Sequence, residues 1–503
     1  GPFTLKQLND YKITTKMERE IKRLAPEPVW AKFAEILRVP RPSFHEEAIR
    51  EYLLNEARSY GIECKADEAG NVILRKPATA GMETRKGIIL QAHMDMVPQK
   101  NNDKSFDFTR DPIDAYVDGD WVTADGTTLG ADNGIGVAAI LAVMEANNIP
   151  HGPIEALITT TEESGMHGAR GLKEKMLNGD ILINLDSESE GELFVGCAGG
   201  LDASITFAYH EEAVPSEHTA YCIEIKGLKG GHSGMDIVLE RGNANQLLIR
   251  FLKQAEGEFG MRLASIDGGG LRNAIPREAS AVVVVPSAAA KAFQKAAKAY
   301  EALLKNEYKG VDDGVTCSVT ATEMPSSLID QKTQRQMIRA VHGCPNGVMR
   351  MSPSMEGVVQ TSSNLARVVS EGDKIRVHCL LRSSVNSEKA DLGDRIASVF
   401  ELAGATTLLE GGYDGWNPNM DSPILHAMTA SYEALFGKAP AVMAIHAGLE
   451  CGIISTNYPH LDMISFGPTI VHPHSPDEKV NIPSVGRFWQ FLLDTLRNAP
   501  FKA

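Results

Sequence analysis

The sequence predicts an α/β protein in which helices flank a mixed central sheet. Three apolar segments, at 87–92, 154–160 and 181–185, have the pattern of buried strands, and each runs into a histidine or an acidic residue. Apolar residues at helical spacing occur in the same part of the chain, at 29–37 and 46–60, and a further helix is expected to end near Glu145. Sheets of this class bind ligands at the carboxyl ends of their strands. We therefore expect the polar strand ends to form a functional site.

The sequence pattern changes after about residue 200. Strand patterns, as at 219–225 and 374–381, are interleaved there with helix patterns, as at 243–255 and 390–403. We interpret this part as an inserted α+β domain within the main domain. The predicted division is an N-terminal arm at 1–26, a first part of the main domain at 27–200, the insert at 201–411 and a second part of the main domain at 412–503.

Composition and charge argue against two classes of function. The formal net charge of −15 and the lack of a long Lys/Arg cluster disfavour a nucleic-acid-binding protein, which needs a basic surface. No apolar run of about 18 residues occurs, so we expect no membrane span. The seven cysteines are scattered and form no CxxC pair, which is typical of reduced thiols in a cytoplasmic protein.

The first strand segment is followed by two polar residues that are suited to a metal site. His93 and Asp95 are separated by one residue, and alternate residues of an extended chain point to the same side. The carboxylate can accept a hydrogen bond from one imidazole nitrogen, which fixes the tautomer and makes the other nitrogen a better ligand. Taken alone, the pair is more typical of a surface His and Asp in a loop.

Acidic residues follow at three further places. Asp132 lies in a glycine-rich turn that enters a helix, where the ordinary alternative is an N-cap. Glu162 and Glu163 follow the second strand segment, and Asp186 follows the third. Paired glutamates are also common on solvated surfaces, but three strand segments that all run into His or acidic residues favour one shared site.

Together these residues form a donor set for divalent metal ions. Two imidazoles and three carboxylates suit zinc or a similar ion, and cobalt and manganese are alternatives that the ligands do not distinguish. Such a set holds two ions, about 3.5–4 Å apart, if one carboxylate bridges them. Asp95 can then orient His93, and Glu162 can act as a general base. The candidate ligands are His93, Asp132, Glu163, Asp186 and a C-terminal histidine, either His472 or His474.

Beyond these residues, the sequence resembles a known family, the dinuclear zinc peptidases that include carboxypeptidase G and aminoacylase. More narrowly, it resembles the bacterial aminoacyl-histidine dipeptidases, also called cytosolic non-specific dipeptidases, from about residue 28 onward. This resemblance implies a phosphorylase/hydrolase-like catalytic domain with an inserted lid domain. It lies in the motifs HMD at 93–95, GADNG at 130–134, TEESG at 161–165, NLDSE at 184–188, KGGHSG at 229–234 and HPHSPDE at 472–478.

The resemblance assigns a role to each candidate in the catalytic domain. Asp132 would bridge two metal ions. His93 and Asp186 would be the other ligands of the first ion, and Glu163 and His474 would be the other ligands of the second. The family pattern places the ligand histidine directly before Ser-Pro-Asp-Glu, which favours His474 over His472. Two acidic residues would not bind metal. Asp95 would orient His93, and Glu162 would be the general base that activates a metal-bridged water.

The resemblance also implies residues that contact the substrate. His232, in a glycine-rich loop of the lid, would stabilise the oxyanion of the tetrahedral intermediate. Asn273 and Arg382 would hold the terminal carboxylate, and Glu450 would recognise the free amino group. The alternatives are a turn residue for Asn273, a surface salt bridge for Arg382 and a structural role for Glu450.

The activity implied is the hydrolysis of unblocked dipeptides, with a preference for Xaa-His substrates that include β-alanyl-histidine (carnosine). A hydrolase of N-acyl or N-carbamoyl amino acids is the nearest alternative, because the metal ligands do not distinguish these substrates. A metal-binding protein without activity is disfavoured because the general-base candidate Glu162 is present. We expect a cytoplasmic homodimer, with a monomer as the alternative, and small dipeptides as its only class of partner.

Overall fold

The computed structural model describes residues 20–503, which form two compact units. The first unit comprises the described residues up to Gly196 together with Asn419–Met443 and Ile453–Ala503. The second comprises Cys197–Pro418 and Ala444–Gly452. The predicted N-terminal arm at 1–26 lies outside the described residues except for its last part.

An eight-stranded mixed sheet organises the first unit. In the order in which they neighbour one another, its strands are β1 (Glu63–Ala66), β2 (Val72–Lys76), β6 (Ile154–Thr159), β3 (Ile88–His93), β7 (Ile181–Asn184), β23 (Asp462–Ser465), β8 (Glu192–Cys197) and β22 (Ala441–Ile445). β3 pairs in parallel with β6 and β7, and β23 pairs in parallel with β7. The carboxyl ends of these four strands therefore lie at one edge of the sheet.

The central strands are apolar along nearly their whole length because both of their faces are covered. Every residue of β3, β6 and β7 is buried, as is usual for parallel strands inside α/β folds. The helices are α1 (Glu27–Ile36), α2 (Glu47–Ser59), α3 (Ala131–Glu145), α4 (His167–Gly171), α9 (Pro423–Phe436), α11 (Ile482–Arg497) and the part of α10 (Glu450–Asn457) from Ile453 onward. Residues 131–144 of α3 are all buried, so this helix has no polar face and forms part of the core.

A small four-stranded sheet in the first unit holds the C-terminal His-Pro-His segment. Its strands are β24 (Ile470–Val471), β25 (Lys479–Asn481), β5 (Trp121–Ala124) and β4 (Ala115–Asp118). Residues 472–478 form the connection between the antiparallel strands β24 and β25. Both ends of this connection are thus fixed by strand pairing.

The second unit is built on a nine-stranded antiparallel sheet. Eight of its strands are, in order, β16 (Thr316–Ala321), β11 (His218–Lys226), β15 (Ala279–Pro286), β13 (Arg262–Gly269), β19 (Val359–Glu371), β20 (Lys374–Ser383), β9 (Gly199–Ala208) and β21 (Thr406–Tyr413), and β18 (Gly347–Met351) pairs with β19. Its helices are α5 (Ala244–Phe259), α6 (Ala290–Glu307), α7 (Gln331–Gly343) and α8 (Asn386–Leu402). Helices and sheet share one apolar core, in which the rings of Phe251 and Phe293 lie 5.8 Å apart.

Two short strand pairs complete the second unit, namely β10 (Glu211–Glu212) with β17 (Leu328–Ile329), and β12 (Gly231–His232) with β14 (Ala274–Ile275). In β12 and β14, His232 pairs with Ala274, which directly follows Asn273. The predicted catalytic residue His232 and the predicted substrate-binding residue Asn273 are therefore close neighbours here. Within residues 20–503, no helix combines the length and the apolar character needed to cross a membrane.

Candidate metal centre

The five predicted metal ligands lie together in the first unit. His93 is the last residue of β3, Glu163 follows β6, and Asp186 follows β7. Asp132 lies in the first turn of α3, where its backbone is not helical (φ −82°, ψ 100°). His474 lies in the connection between β24 and β25. The parallel strands thus bring three of the candidates to one edge, and two loops add the others.

One group of potential ligands contains His93, Asp132 and Asp186. One ligand atom of each residue lies within 4.8 Å of the other two. Nε2 of His93 is 3.0 Å from Oδ1 of Asp132 and 3.4 Å from Oδ1 of Asp186. These residues are buried or nearly so, which shields the group from bulk water.

A second group contains Asp132, Glu163 and His474, again with the ligand atoms within 4.8 Å of one another. Nε2 of His474 is 2.9 Å from Oδ2 of Asp132 and 3.1 Å from Oε1 of Glu163. Asp132 is therefore common to both groups and presents Oδ1 to one and Oδ2 to the other. This is the arrangement that a carboxylate bridging two metal ions requires.

The geometry separates the two C-terminal histidines. His474 contacts both carboxylates of the second group, whereas His472 belongs to none of the potential ligand groups found within residues 20–503.

The backbone of His474 has φ 65°, and Thr161, which precedes the two glutamates, has φ 50°. Non-glycine residues in this conformation cost about 1–3 kcal/mol each and are typical of functional sites, where surrounding contacts fix them.

The electrostatics of both groups favour bound cations. Burial raises the pKa of Asp186 well above its usual value and also raises the pKa of Glu163, because carboxylates crowd together here away from water. Burial alone would lower the pKa of His93, but the charges of Asp186 and Glu162 raise it well above its usual range. Hydrogen bonds to Asp132 and Glu163 raise the pKa of His474 to about 11.

Without metal ions, protons on these two histidines supply the positive charge that the carboxylates require. Divalent cations can supply the same charge and would replace those protons, since a ligating imidazole is neutral. Two imidazoles and three carboxylates also match the ligand preferences of zinc and similar ions. The ligand types, their negative charge and the position of Asp132 between the two groups therefore fit a pair of divalent metal ions.

Asp95 connects His93 to the two glutamates. Oδ1 of Asp95 lies 3.2 Å from Nδ1 of His93 and accepts a hydrogen bond from the backbone N–H of Glu162 at 3.0 Å. Oδ2 accepts from the backbone N–H of Glu163 at 3.2 Å and from the hydroxyl of Ser43 at 2.6 Å. Burial would raise the pKa of Asp95, but the contact with His93 and these hydrogen bonds lower it to about 2. The side chain is thus an ionised anchor for both segments.

Glu162 lies beside the ligand groups without belonging to the pair that shares Asp132. Its Oε2 is 3.6 Å from Nε2 of His93, and its side chain is 18% exposed. A partly exposed carboxylate next to a metal site can exchange protons with a water molecule there, which is what a general base must do. Glu163, its neighbour, lies at the same distance of 3.6 Å from Nε2 of His93, and it also contacts Nε2 of His474 at 3.1 Å.

Sequence reasoning missed Glu478, a buried carboxylate that holds the Asp132 turn. Its Oε1 accepts hydrogen bonds from the backbone N–H groups of Leu129 and Gly130, both at 2.9 Å, and its Oε2 accepts from that of Asp132 at 3.0 Å. Burial raises its pKa to about 7. The only sequence signal was its position in the motif HPHSPDE, four residues after His474.

Arg41 is a second missed residue, and it is fully buried against the same turn. Its guanidinium donates hydrogen bonds to the carbonyl oxygens of Met94, at 3.2 Å, and of Gly130. Burial lowers its pKa to about 10, against the opposing charges of Glu478 and Asp95. Arg41 therefore links the end of β3 to the turn that carries Asp132, and no sequence pattern indicated this contact.

In the second unit, Ser233 contacts two predicted substrate-binding residues, Asn273 and Arg382, and follows the predicted catalytic residue His232. The backbone N–H of Ser233 donates to the carbonyl oxygen of Asn273 at 2.8 Å. Arg382 is only 4% exposed and donates to the hydroxyl of Ser233 from Nη2 at 3.0 Å. His232 precedes Ser233 in the chain. A surface salt bridge, the alternative considered for Arg382, does not match this burial.

Glu450 lies in the segment Ala444–Gly452 of the same unit and is 2% exposed. The segment also contains His446, a buried histidine that sequence reasoning missed. Nε2 of His446 lies 2.7 Å from the hydroxyl of Ser362. Burial, together with the nearby charge of Arg382, lowers the pKa of His446 to about 3, so this side chain is neutral.

The fold and the two ligand groups are those of a metallopeptidase, and the chain belongs to the peptidase family M20/M25/M40, whose sequence model matches residues 89–498. The cytosol non-specific dipeptidase of Escherichia coli (strain K12) is 47% identical over 483 residues, which cover 96% of this chain and 100% of that protein. The predicted resemblance to a peptidase family is therefore confirmed along almost the whole chain.

Solved structures agree with the sequence comparison. The crystal structure of aminoacylhistidine dipeptidase from Vibrio alginolyticus is similar with a TM-score of 0.93 and 48% identity, over 96% of this chain and 99% of that chain. A tripeptidase from Staphylococcus aureus has a TM-score of 0.55 and 17% identity, over 94% and 98% of the two chains, which shows the fold alone. The predicted α/β fold class and the homology to aminoacyl-histidine dipeptidases are confirmed.

Proposed function

We propose that this chain is a metal-dependent dipeptidase that hydrolyses unblocked dipeptides, with a preference for Xaa-His substrates that include β-alanyl-histidine. The observation that carries the proposal is the pair of ligand groups that share Asp132, with Glu162 beside them. Similarity over the full length of a cytosol dipeptidase and of an aminoacylhistidine dipeptidase supports the substrate class. The name of the first relative supports a cytoplasmic location.

Two divalent zinc ions are proposed as cofactors, with cobalt and manganese as the alternatives. His93, Asp186 and Asp132 would hold one ion, and Glu163, His474 and Asp132 the other. When bound, the ions act as Lewis acids that polarise a peptide carbonyl and lower the pKa of a water molecule. Nδ1 of His93 donates to the backbone carbonyl oxygen of Asp95 at 2.9 Å, with the Asp95 carboxylate at 3.2 Å, which leaves Nε2 available to bind metal.

Glu162 moves the proton in the proposed reaction. Its carboxylate takes a proton from the attacking water as the oxygen forms a bond to the carbonyl carbon of the scissile peptide. When the C–N bond breaks, the same carboxyl group gives that proton to the nitrogen of the leaving amine. Asp95 holds the backbone N–H of Glu162, so the base is fixed relative to the ligand His93.

The second unit is proposed to act as the lid and to bind the dipeptide. His232 is assigned to the oxyanion, Asn273 and Arg382 to the terminal carboxylate, and Glu450 to the free amino group. A buried guanidinium such as that of Arg382 is suited to a carboxylate because it offers two parallel N–H donors. Recognition of both charged ends would restrict the enzyme to dipeptides. A homodimer is the proposed assembly.

The test is hydrolysis of alanyl-histidine, β-alanyl-histidine and their N-acetylated forms by the zinc-loaded protein. Cleavage of the free-amine substrates alone, lost after metal removal and in Glu162→Gln, is the expected result. Cleavage of the acetylated forms would instead identify an acylase. A zinc-loaded protein that cleaves none of these substrates would refute the dipeptidase assignment.

A further inference from the structure

The turn that carries His232 determines which ring nitrogen of this residue holds a proton. Nδ1 of His232 accepts hydrogen bonds from the backbone N–H of Gly234 at 3.0 Å and from that of Met235 at 3.1 Å. A nitrogen that accepts two N–H groups carries no proton of its own. A neutral imidazole in this position must therefore hold its single proton on Nε2.

Asp236 and two glycines keep the turn in this shape. Oδ2 of Asp236 accepts the backbone N–H of His232 at 2.7 Å, and the backbone N–H of Asp236 donates to the carbonyl of His232 at 3.0 Å. Gly231 has φ 137°, and a Cβ there would lie 2.7 Å from Oδ2 of Asp236. A Cβ on Gly234 would lie 2.1 Å from the carbonyl oxygen of His446. A larger residue at either glycine would clash with these atoms and change the shape of the turn around His232.

The surroundings of His232 also oppose a second proton. Burial lowers its pKa, and the nearby positive charge of Arg382 lowers it further. The carboxylate of Asp236 has the opposite effect, but it is engaged with the backbone N–H of His232 rather than with the ring. Protonation of Nδ1 would in addition break the hydrogen bonds from Gly234 and Met235. Charge and geometry thus favour the same state.

We propose that the 231–236 turn locks His232 as the neutral Nε2–H tautomer, which makes the side chain a hydrogen-bond donor to a substrate oxygen and excludes it as a proton acceptor. Asp236 is the positioning residue of this lock. The identity of the oxygen, that of a peptide carbonyl, rests on the proposed function, whereas the lock itself is a property of the turn. Glu162 is then the residue that accepts protons in the reaction.

The lock is tested by the ring ¹⁵N NMR signals of the zinc-loaded full chain labelled at histidine, with His232 assigned by comparison with His232→Gln. From pH 6 to 8 we expect a bare Nδ1 and a protonated Nε2. Asp236→Ala should convert this pattern to an average of both tautomers, and Asp236→Asn, which retains an acceptor oxygen, should restore it. A protonated Nδ1, averaged tautomers or an imidazolium at pH 7 in the unsubstituted chain would overturn the proposal.

The donor role is tested by two amide substitutions that differ in reach. The side-chain N–H of His232→Gln lies near the position of Nε2, whereas that of His232→Asn lies near Nδ1. Loss of one oxyanion donor costs about 10²–10³ in kcat, so we expect His232→Asn to lose this much and His232→Gln to retain at least ~10-fold more kcat, with similar KM values. Equal losses in both variants would contradict a donor at Nε2. If no dipeptide is cleaved, the proposed function fails, and the NMR pattern still decides the tautomer.

Discussion

His93 and His474 in the first unit are surrounded by carboxylates, whereas His232 and His446 in the second unit lie near the guanidinium of Arg382. The pKa of His474 is raised to about 11 by hydrogen bonds to carboxylates, and that of His446 is lowered to about 3 by burial and the positive charge. The first environment attracts cations. The second keeps its histidines neutral and is suited to anionic oxygen atoms. The neighbours of a histidine, rather than the residue type, thus decide its chemistry.

The largest effect is expected from the two adjacent glutamates. Glu162→Gln should lower kcat by about 10²–10⁴, because it removes the general base, while zinc content stays unchanged. The matched variant Glu163→Gln should lose zinc instead, because it removes a ligand oxygen. Measurement of kcat beside the metal content of both variants checks this division of roles. Zinc loss in Glu162→Gln would show that this residue is itself a ligand.

The Glu478 carboxylate offers a test of how far the cation site depends on its supporting contacts. Glu478→Gln leaves one oxygen for three backbone N–H groups, so the Asp132 turn should shift. Loss of such a supporting contact typically weakens metal binding by about 10–100-fold. Zinc competition against a chelator measures the effect. The control is Glu68→Gln, which removes an exposed ion pair with Lys173. Equal zinc affinities in the two variants would contradict the role of Glu478 in holding the Asp132 turn.

Arg382→Lys tests whether the environment around Arg382 binds an anionic group of the substrate. Lysine keeps the charge but loses the two parallel N–H donors, so KM for a dipeptide with a free carboxylate should rise about 10-fold. KM for the C-terminally amidated dipeptide should change much less. Arg376→Lys, an exposed position on the same strand, is the matched control. A rise of the same size for both substrates would show that Arg382 does not contact the carboxylate.

The smallest effect concerns stability and pH. The pKa of His446 is about 3 in the folded chain and 6.5 when unperturbed, so between these values the unfolded state binds the extra proton. The stability contribution of the neutral His446 is therefore complete above pH 6.5 and falls by about 1.4 kcal/mol per pH unit below it.

His446→Gln retains an acceptor for Ser362 and removes this titration. Between pH 6.5 and 5, the wild-type free energy of unfolding should thus decrease by about 2 kcal/mol more than that of the variant. Urea unfolding of the metal-free proteins measures the two curves. Parallel curves would show that His446 is not held neutral in the folded chain.

The sequence was informative where chemistry follows directly from a strand. His93 and Asp95 could be grouped because alternate residues of an extended chain share a side, and Glu163 and Asp186 because parallel strands end at one edge. Asp132 was harder, because an aspartate before a helix is usually an N-cap. In the structure, Gly130 occupies the N-cap position of α3 and Asp132 is left free to face both histidines.

The supporting contacts could not be predicted from the sequence. Glu478 and Leu129 are 349 positions apart, and Arg41 and Gly130 are 89 apart, so no local pattern indicates that they meet. The tautomer of His232 depends on the direction of two backbone N–H groups in a turn, which the motif KGGHSG indicates only through its glycines. Local chemistry was thus accessible from the sequence, but the contacts that fix its geometry were not.

The position of His474 also determines the order in which the metal centre is completed during protein synthesis. His93, Asp132 and Asp186 are translated close together, whereas His474 follows Asp132 by 342 residues. At roughly 5–20 residues per second, this interval is about 17–70 s. Once Asp186 has been made, the nascent chain holds the whole first group but only Asp132 and Glu163 of the second group until His474 is added. The second potential ligand group can therefore be completed only after the ribosome has passed the connection between β24 and β25.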